Sequence, residues 1–146
     1  QDRLLVLNDV SDLDAYFSGE NYQILKYLDH FEYLWGNNKS SIKGELLAHF
    51  ISSNTLYVLV KDDVQRLIKI NNGEIEKQII LDNELVINKI IYDHNLYLFG
   101  NLETSGIIIE YNDNLQEIKR YSYGTNNNLK FHYSIITILQ NNWRCK

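Results

Sequence analysis

The chain has 146 residues, enough for one domain with a sizeable core, and its 45% apolar and 12% aromatic content excludes a wholly disordered chain. Its 19 acids and 14 bases are interspersed and leave a net charge of −5. That excludes the concentrated basic face needed to hold nucleic acid, and no apolar run approaches the roughly 20 residues of a membrane-spanning helix.

Proline and methionine are absent, whereas asparagine occurs 18 times. Average usage would supply about seven prolines. Asn tolerates left-handed backbone and caps its own turn, so it takes over part of that work. With no start methionine, a processed chain or a piece of a longer one is expected. The single cysteine, Cys145, has no intrachain partner and leaves the redox compartment open.

In chain order, "LLVLND" (4–9) and "YFSG" (16–19) predict the third and fourth strands of a four-stranded unit, giving a half unit over 4–19. "NYQILKYLDHFEYLWGNN" (21–38) predicts strands one and two of the next, a second half unit. Residues 44–81 predict a full unit, with apolar runs at 46–51, 56–60, 67–70 and 75–81 broken by "SSN", "KDD" and "NNG". Residues 85–124 predict another, with runs at 85–92, 96–102, 107–111 and 118–123 broken by "DHN", "ETSG" and "NDN". "KFHYSIITILQNNW" (130–143) predicts a first strand and the start of a second, within a half unit over 129–146.

The runs are rich in β-branched and aromatic residues, which suit a pleated surface, and Asn-Gly is a strong hairpin signal. The second run of each full unit is apolar on both faces, as in a covered strand. The fourth alternates, as in a half-exposed edge strand.

The two full units match each other. "TLYVLV" (55–60) aligns with "NLYLFG" (95–100) at an offset of 40, "LIKIN" (67–71) with "IIEYN" (108–112) at 41, and "EIEKQI" (74–79) with "EIKRYS" (117–122) at 43. A further pair, "LDHFEYLWGN" (28–37) and "YDHNLYLFGN" (92–101), shares six of ten residues at a spacing of 64. Two repeats would span about 80, so two strands are expected to be missing after Asn38, either truncated in nature or absent from the chain.

Tandem four-stranded meanders of this size resemble β-propeller blades, without the "GH…WD" of WD40 repeats or the double glycine of kelch repeats. "YLWGN" and "YLFGN" are similar to second strands of degenerate propeller repeats in bacterial surface and secreted proteins. The resemblance implies a ring closed by strands from both chain ends, four blades or part of a larger ring, and an extracytoplasmic or secreted location. Two alternatives stay open. One is another all-β fold whose matches arise from repetitive Asn, Ile and Tyr. The other is a mixed α/β fold, since Tyr16, Phe17, Ile24, Leu25, Leu28 and Phe31 partly fit helical spacing.

No catalytic or metal-ligating set is predicted, and no cofactor. No His-x-x-x-His, Cys-x-x-Cys, G-x-S-x-G or phosphate-cradling glycine loop occurs. Asp9, Asp12 and Asp14 approach a calcium loop but lack its glycine and distal glutamate. Asp29–His30 and Asp93–His94 could orient an imidazole, yet Asp and His are also turn formers, and the third equivalent is Ser53–Asn54. His49 and His132 fall inside first-strand runs and are expected to be half-buried.

The candidate binding residues are the strand aromatics Tyr33, Trp35 and Tyr97 and the turn residues Asp62, Asp63, Asp93, His94 and Glu103. Tyr and Trp are hot-spot and sugar-stacking residues, though strand aromatics usually form core. The sequence points to a non-catalytic module binding a protein or glycan. Alternatives are a hydrolase or lyase acting on polysaccharide, with acids from several blades, and a small acidic inhibitor of a basic enzyme.

Overall fold

The computed structural model describes residues 12–123. They form β1 (Ala15–Ser18), β2 (Tyr22–Lys26), β3 (His30–Trp35), β4 (Asn38–Lys43), β5 (Glu45–Ser52), β6 (Thr55–Lys61), β7 (Gln65–Asn71), β8 (Glu74–Leu81), β9 (Leu85–Asp93), β10 (Asn95–Leu102), β11 (Ser105–Tyr111) and β12 (Glu117–Tyr123). The strands make three antiparallel four-stranded meanders: β1–β4, β5–β8 and β9–β12. The chain is all-β, as predicted, and no helix among the described residues is long and apolar enough to cross a membrane. It divides into two compact units between Leu81 and Asp82, with the first two sheets in one and the third in the other.

The mixed α/β alternative fails on residues 14–33. Tyr16 pairs with Leu25 and Phe17 with Ile24 across β1 and β2, so the apparent helical spacing comes from two short strands and their turn. The half units predicted at 4–19 and 21–38 fail with it. Residues 15–18 are the first strand of a meander whose second and third strands lie within 21–38. Its fourth strand is β4, "NKSSIK", in which only Ile42 is buried. An edge strand needs only one apolar contact row, so this polar stretch reads as a linker in sequence. The half unit expected to be missing after Asn38 is therefore occupied. The segments 4–9 and 129–146, with His132, Cys145 and the predicted ring closure, lie outside the described residues.

The second and third sheets repeat each other down to their irregularities. Leu47 is an extra residue opposite Leu59 and Val60, and Asn88 is an extra residue opposite Phe99 and Gly100. A second bulge places Glu76 opposite the step Lys69–Ile70 and Ile118 opposite Glu110–Tyr111. Such bulges re-aim strands and recur as built features. They also correct the alignment of the fourth strands. Ile75 and Glu117 occupy matching ladder positions, an offset of 42 rather than 43. A one-residue slip exchanges the faces of a strand, and the shared Glu-Ile pair disguises it. The drift itself falls in the turns. Three residues link Lys61 to Gln65 where four link the paired Asn101 and Gly106, and two link Asn71 to Glu74 where three link Asn112 to Gln116.

The core of the first unit lies between the facing sheets. Ile24, Phe31, Tyr33 and Ile42 from the first sheet meet Leu46, Leu56, Val58, Val60, Ile68 and Ile70 from the second. Each such side chain contributes about 1.5–3 kcal/mol by leaving water. On the other face of β6, Tyr57 and Leu59 are also buried, so the strand is covered on both faces as its composition predicts. Edge strand β8 is exposed over most of its length.

The repeated decamer takes two conformations. In the first copy Gly36, at φ 58°, is the first central residue of the tight β3–β4 turn, where a positive φ is required. In the second copy Gly100 sits inside β10 at the bulge, where an added Cβ would lie 2.0 Å from the Val86 carbonyl oxygen and 2.8 Å from the Ile87 Cα. Gly36 has no atom of the described residues within 4 Å of that position. Gly36→Ala is expected to cost about 1–2 kcal/mol through backbone strain alone. Gly100→Ala is expected to cost about 3 kcal/mol or more, because backbone must move. Denaturant unfolding of the two variants checks this; equal costs would show that both glycines do the same work.

Candidate functional site

The first unit has two ends of different chemistry, set by the direction of its strands. β3 runs from His30 at one end to Trp35 about 17 Å away at the other. The His30 end is charged. The Asp29 carboxylate lies 2.8 Å from His30 Nδ1, and the His30 ring stacks on Tyr27 at 4.5 Å. Asp62 accepts the Val64 N–H at 3.2 Å and lies 3.7 Å from Arg66. Arg66 donates to the Lys43 carbonyl and to Gln78. The hydrogen bond from His30 holds Asp29 below the usual carboxylate range. The Val64 N–H, then Arg66 and Lys43, do the same for Asp62. Asp63 is exposed in the same turn. Asp62 stabilises its own turn, since a side-chain oxygen accepting the N–H two residues on is the Asx arrangement.

At the Trp35 end, turns of both sheets meet. The Gly36 N–H donates to the Asn21 carbonyl at 3.1 Å, joining the β1–β2 and β3–β4 turns. Ser40 Oγ donates to the Gly73 carbonyl at 3.1 Å, joining the first sheet to the β7–β8 turn. That turn has positive φ at Asn72 and Gly73, as its Asn-Gly sequence predicts, and it abuts Trp35 and Asn38. The Asn54 and Asn72 side-chain amides bond to each other at 2.6 Å, joining the β5–β6 turn. The result is a continuous row of four turns. Asn21, Asn37, Asn38 and Asn72 are exposed on it beside Trp35, which packs on the core while staying part-exposed.

In the third sheet, Asp93 Oδ1 lies 3.0 Å from His94 Nδ1, and His94 carries the turn at φ 67°. Glu103 carries the turn at the other end of β10, roughly 25 Å away. The Asp-His pair is a turn in both copies, but His30 opens β3 whereas His94 is itself the left-handed residue.

The predicted binding residues thus separate. Within the first unit, Trp35 lies at the amide end and Asp62 and Asp63 at the charged end. Tyr33 and Tyr97 are core, 1% exposed each, and make no binding surface. Their side chains point into packed faces because each sits at a core-facing position of an inner strand. Their hydroxyls differ. Tyr33 Oη has no hydrogen-bond partner among the described residues, and burial, with a smaller contribution from Tyr22, pushes its phenol up to about 12. Tyr97 Oη donates to Glu110 at 3.2 Å, beside donations from Asn95 at 2.7 Å and Tyr121 at 3.2 Å. Glu110 hides within the apolar run "IIIEY", and only the ladder Tyr97–Glu110–Lys119 shows that three strands converge on it. Three donors of its own sheet bind its carboxyl group, two at Oε2 and one at Oε1.

Asp14, of the calcium-like run, is ion-paired with Lys26. His49 is half-buried against the Phe17 ring at 4.5 Å, and burial pulls its pKa down. Among the described residues no three His, Cys, Asp or Glu side chains gather as a metal-binding group. The amide residues Asn21, Asn37, Asn38 and Asn72 read in sequence only as turn formers. Their clustering depends on two sheets meeting, and the one sequence signal is that these turns are all closed by Asn.

No family model matches the chain, and no curated protein matches it. A protein of unknown function from Bacteroides caccae, known from a crystal structure, is similar in fold. Its TM-score is 0.50 at 11% sequence identity, over 71% of this chain and 43% of that one. The chain thus spans less than half the length of that protein.

Tyr33→Phe removes a buried hydroxyl with no partner among the described residues and is expected to stabilise the chain by about 1 kcal/mol at neutral pH. Tyr97→Phe, at the matching position of the decamer, is expected to destabilise it by about 1–3 kcal/mol by withdrawing a donor from Glu110. Melting temperatures of both variants check the signs; the same sign for both would sink the assignment.

A phenol raised from 10 to about 12 keeps its full stabilisation below pH 10 and loses it as the pH rises towards and through 12. The advantage of Tyr33→Phe is therefore expected to widen by up to about 1.4 kcal/mol per pH unit above pH 10. Melting curves of the two proteins between pH 8 and 12 test this, and a constant gap would contradict it.

Proposed function

We propose that the chain is a non-catalytic binding module for a protein or glycan, built from propeller-like four-stranded blades, and that it contacts its ligand through the row of turns at the Trp35 end of the first unit. The observation that carries this is the joining of four turns from two sheets by Gly36–Asn21, Ser40–Gly73 and Asn54–Asn72 hydrogen bonds. Turns already joined by hydrogen bonds, with the Asn72 amide held by Asn54, lose little backbone freedom on binding, which favours affinity. The carboxylates at the opposite end are bound to their own turns, which favours a structural role there.

The test probes immobilised oligosaccharide and peptide arrays with the labelled chain. Retention on one array is expected, with a roughly tenfold loss in Asn21→Ala/Asn37→Ala/Asn38→Ala and none in Asp63→Asn. Circular dichroism confirms that each variant is folded. No retention on either array, or equal retention by wild type and the triple variant, would overturn the proposal.

A further inference from the structure

We infer that the turn row at the Trp35 end takes a neutral oligosaccharide, with one pyranose ring on the Trp35 indole and sugar hydroxyls bonded by the amides of Asn37, Asn38 and Asn72. The inference rests on the binding-module proposal and narrows its ligand to one class.

Three features point to this chemistry. The first is the amides. A sugar hydroxyl is both donor and acceptor, and a carboxamide offers two donors and a carbonyl acceptor within one planar group. Asn37, Asn38 and Asn72 are exposed here, and Asn72 is held in orientation by Asn54 at 2.6 Å. The second is Trp35, which ends β3 beside Gly73, packs on the core and stays part-exposed. An indole face is electron-rich and apolar, and it matches the C–H face of a pyranose.

The third feature is charge. An anionic ligand calls for Arg or Lys donors. The turns here carry Glu20, and β8 opens with Glu74, both exposed. The nearby Lys39 lies 3.4 Å from Glu32. Two carboxylates beside four amides disfavour sulfated or uronic sugars and phosphate, and leave neutral sugars favoured. A protein hot spot is built on clustered Trp, Tyr and Arg; these turns carry amides and two carboxylates beside Trp35 and the part-buried Tyr22, and no Arg.

The experiment uses the full chain carrying Trp143→Phe, so that Trp35 is the sole indole. Neutral β-glucan, xylan and mannan oligosaccharides are titrated, with heparin and polygalacturonate oligosaccharides as anionic probes. Trp35 emission, its quenching by acrylamide and the heat of binding are followed. At least one neutral series is expected to saturate, shift the emission and protect Trp35 from acrylamide. Affinity is expected to fall roughly tenfold in Trp35→Ala and in Asn37→Ala/Asn38→Ala, and to hold in Asp63→Asn. Should Trp35→Ala fail to fold, quenching protection and the Asn variants decide. Heparin or polygalacturonate binding more tightly than every neutral sugar would overturn the inference, as would neutral binding without protection of Trp35. Peptide retention that depends on Asn21, Asn37 and Asn38, with no neutral sugar bound, would overturn this inference while leaving the binding-module proposal standing. Loss of both would overturn both.

Discussion

Ile24, Phe31 and Tyr33 of the first sheet and Leu56, Val58 and Ile68 of the second are almost wholly removed from water by one another's company, and the first unit depends on that contact. A single four-stranded meander has a face it cannot cover by itself. Facing two of them satisfies both. It also fixes which turns become neighbours. Ser40 reaches the Gly73 carbonyl, and Trp35 meets the β7–β8 turn, because the cores beneath them are in register.

The same contact sorts the polar residues into two populations. At the His30 end, carboxylates and bases neutralise one another and hold turns closed. At the Trp35 end the side chains are mostly neutral amides, some of them bonded to each other. Exposed ion pairs of the first kind contribute little to stability, so their value is local geometry. The second kind leaves donors and acceptors facing solvent, which is the chemistry a ligand could use.

Repetition is an unreliable guide to conformation in this chain. The second and third sheets are true copies, since both bulges recur at matching ladder positions. The two decamers are not. One contributes the third strand of its meander and ends in a turn; the other contributes the second strand and runs on through its glycine. A tight turn and a mid-strand bulge both select glycine, one for positive φ and the other for close approach, so identical letters conceal different constraints. The spacing of 64 reflects this shift by one strand, and no strands are missing after Asn38.

Strand character, turn positions and the covered inner strands were determined by the sequence alone, because they follow from local periodicity and turn chemistry that neighbouring residues carry. Asn72–Gly73 needed nothing beyond itself to announce its turn. β4 stayed hidden, since a polar edge strand is specified by its partner β3 and not by its own composition. The binding candidates fared alike. Trp35, a candidate in the sequence, stays part-exposed, whereas Tyr33 and Tyr97 could be told from surface residues only by the faces their strands bury. Glu110 was disguised by the apolar run around it. The amide row existed in the sequence only as four scattered turns, and tertiary packing alone decided that they meet, because proximity across two sheets is a property of their shared core.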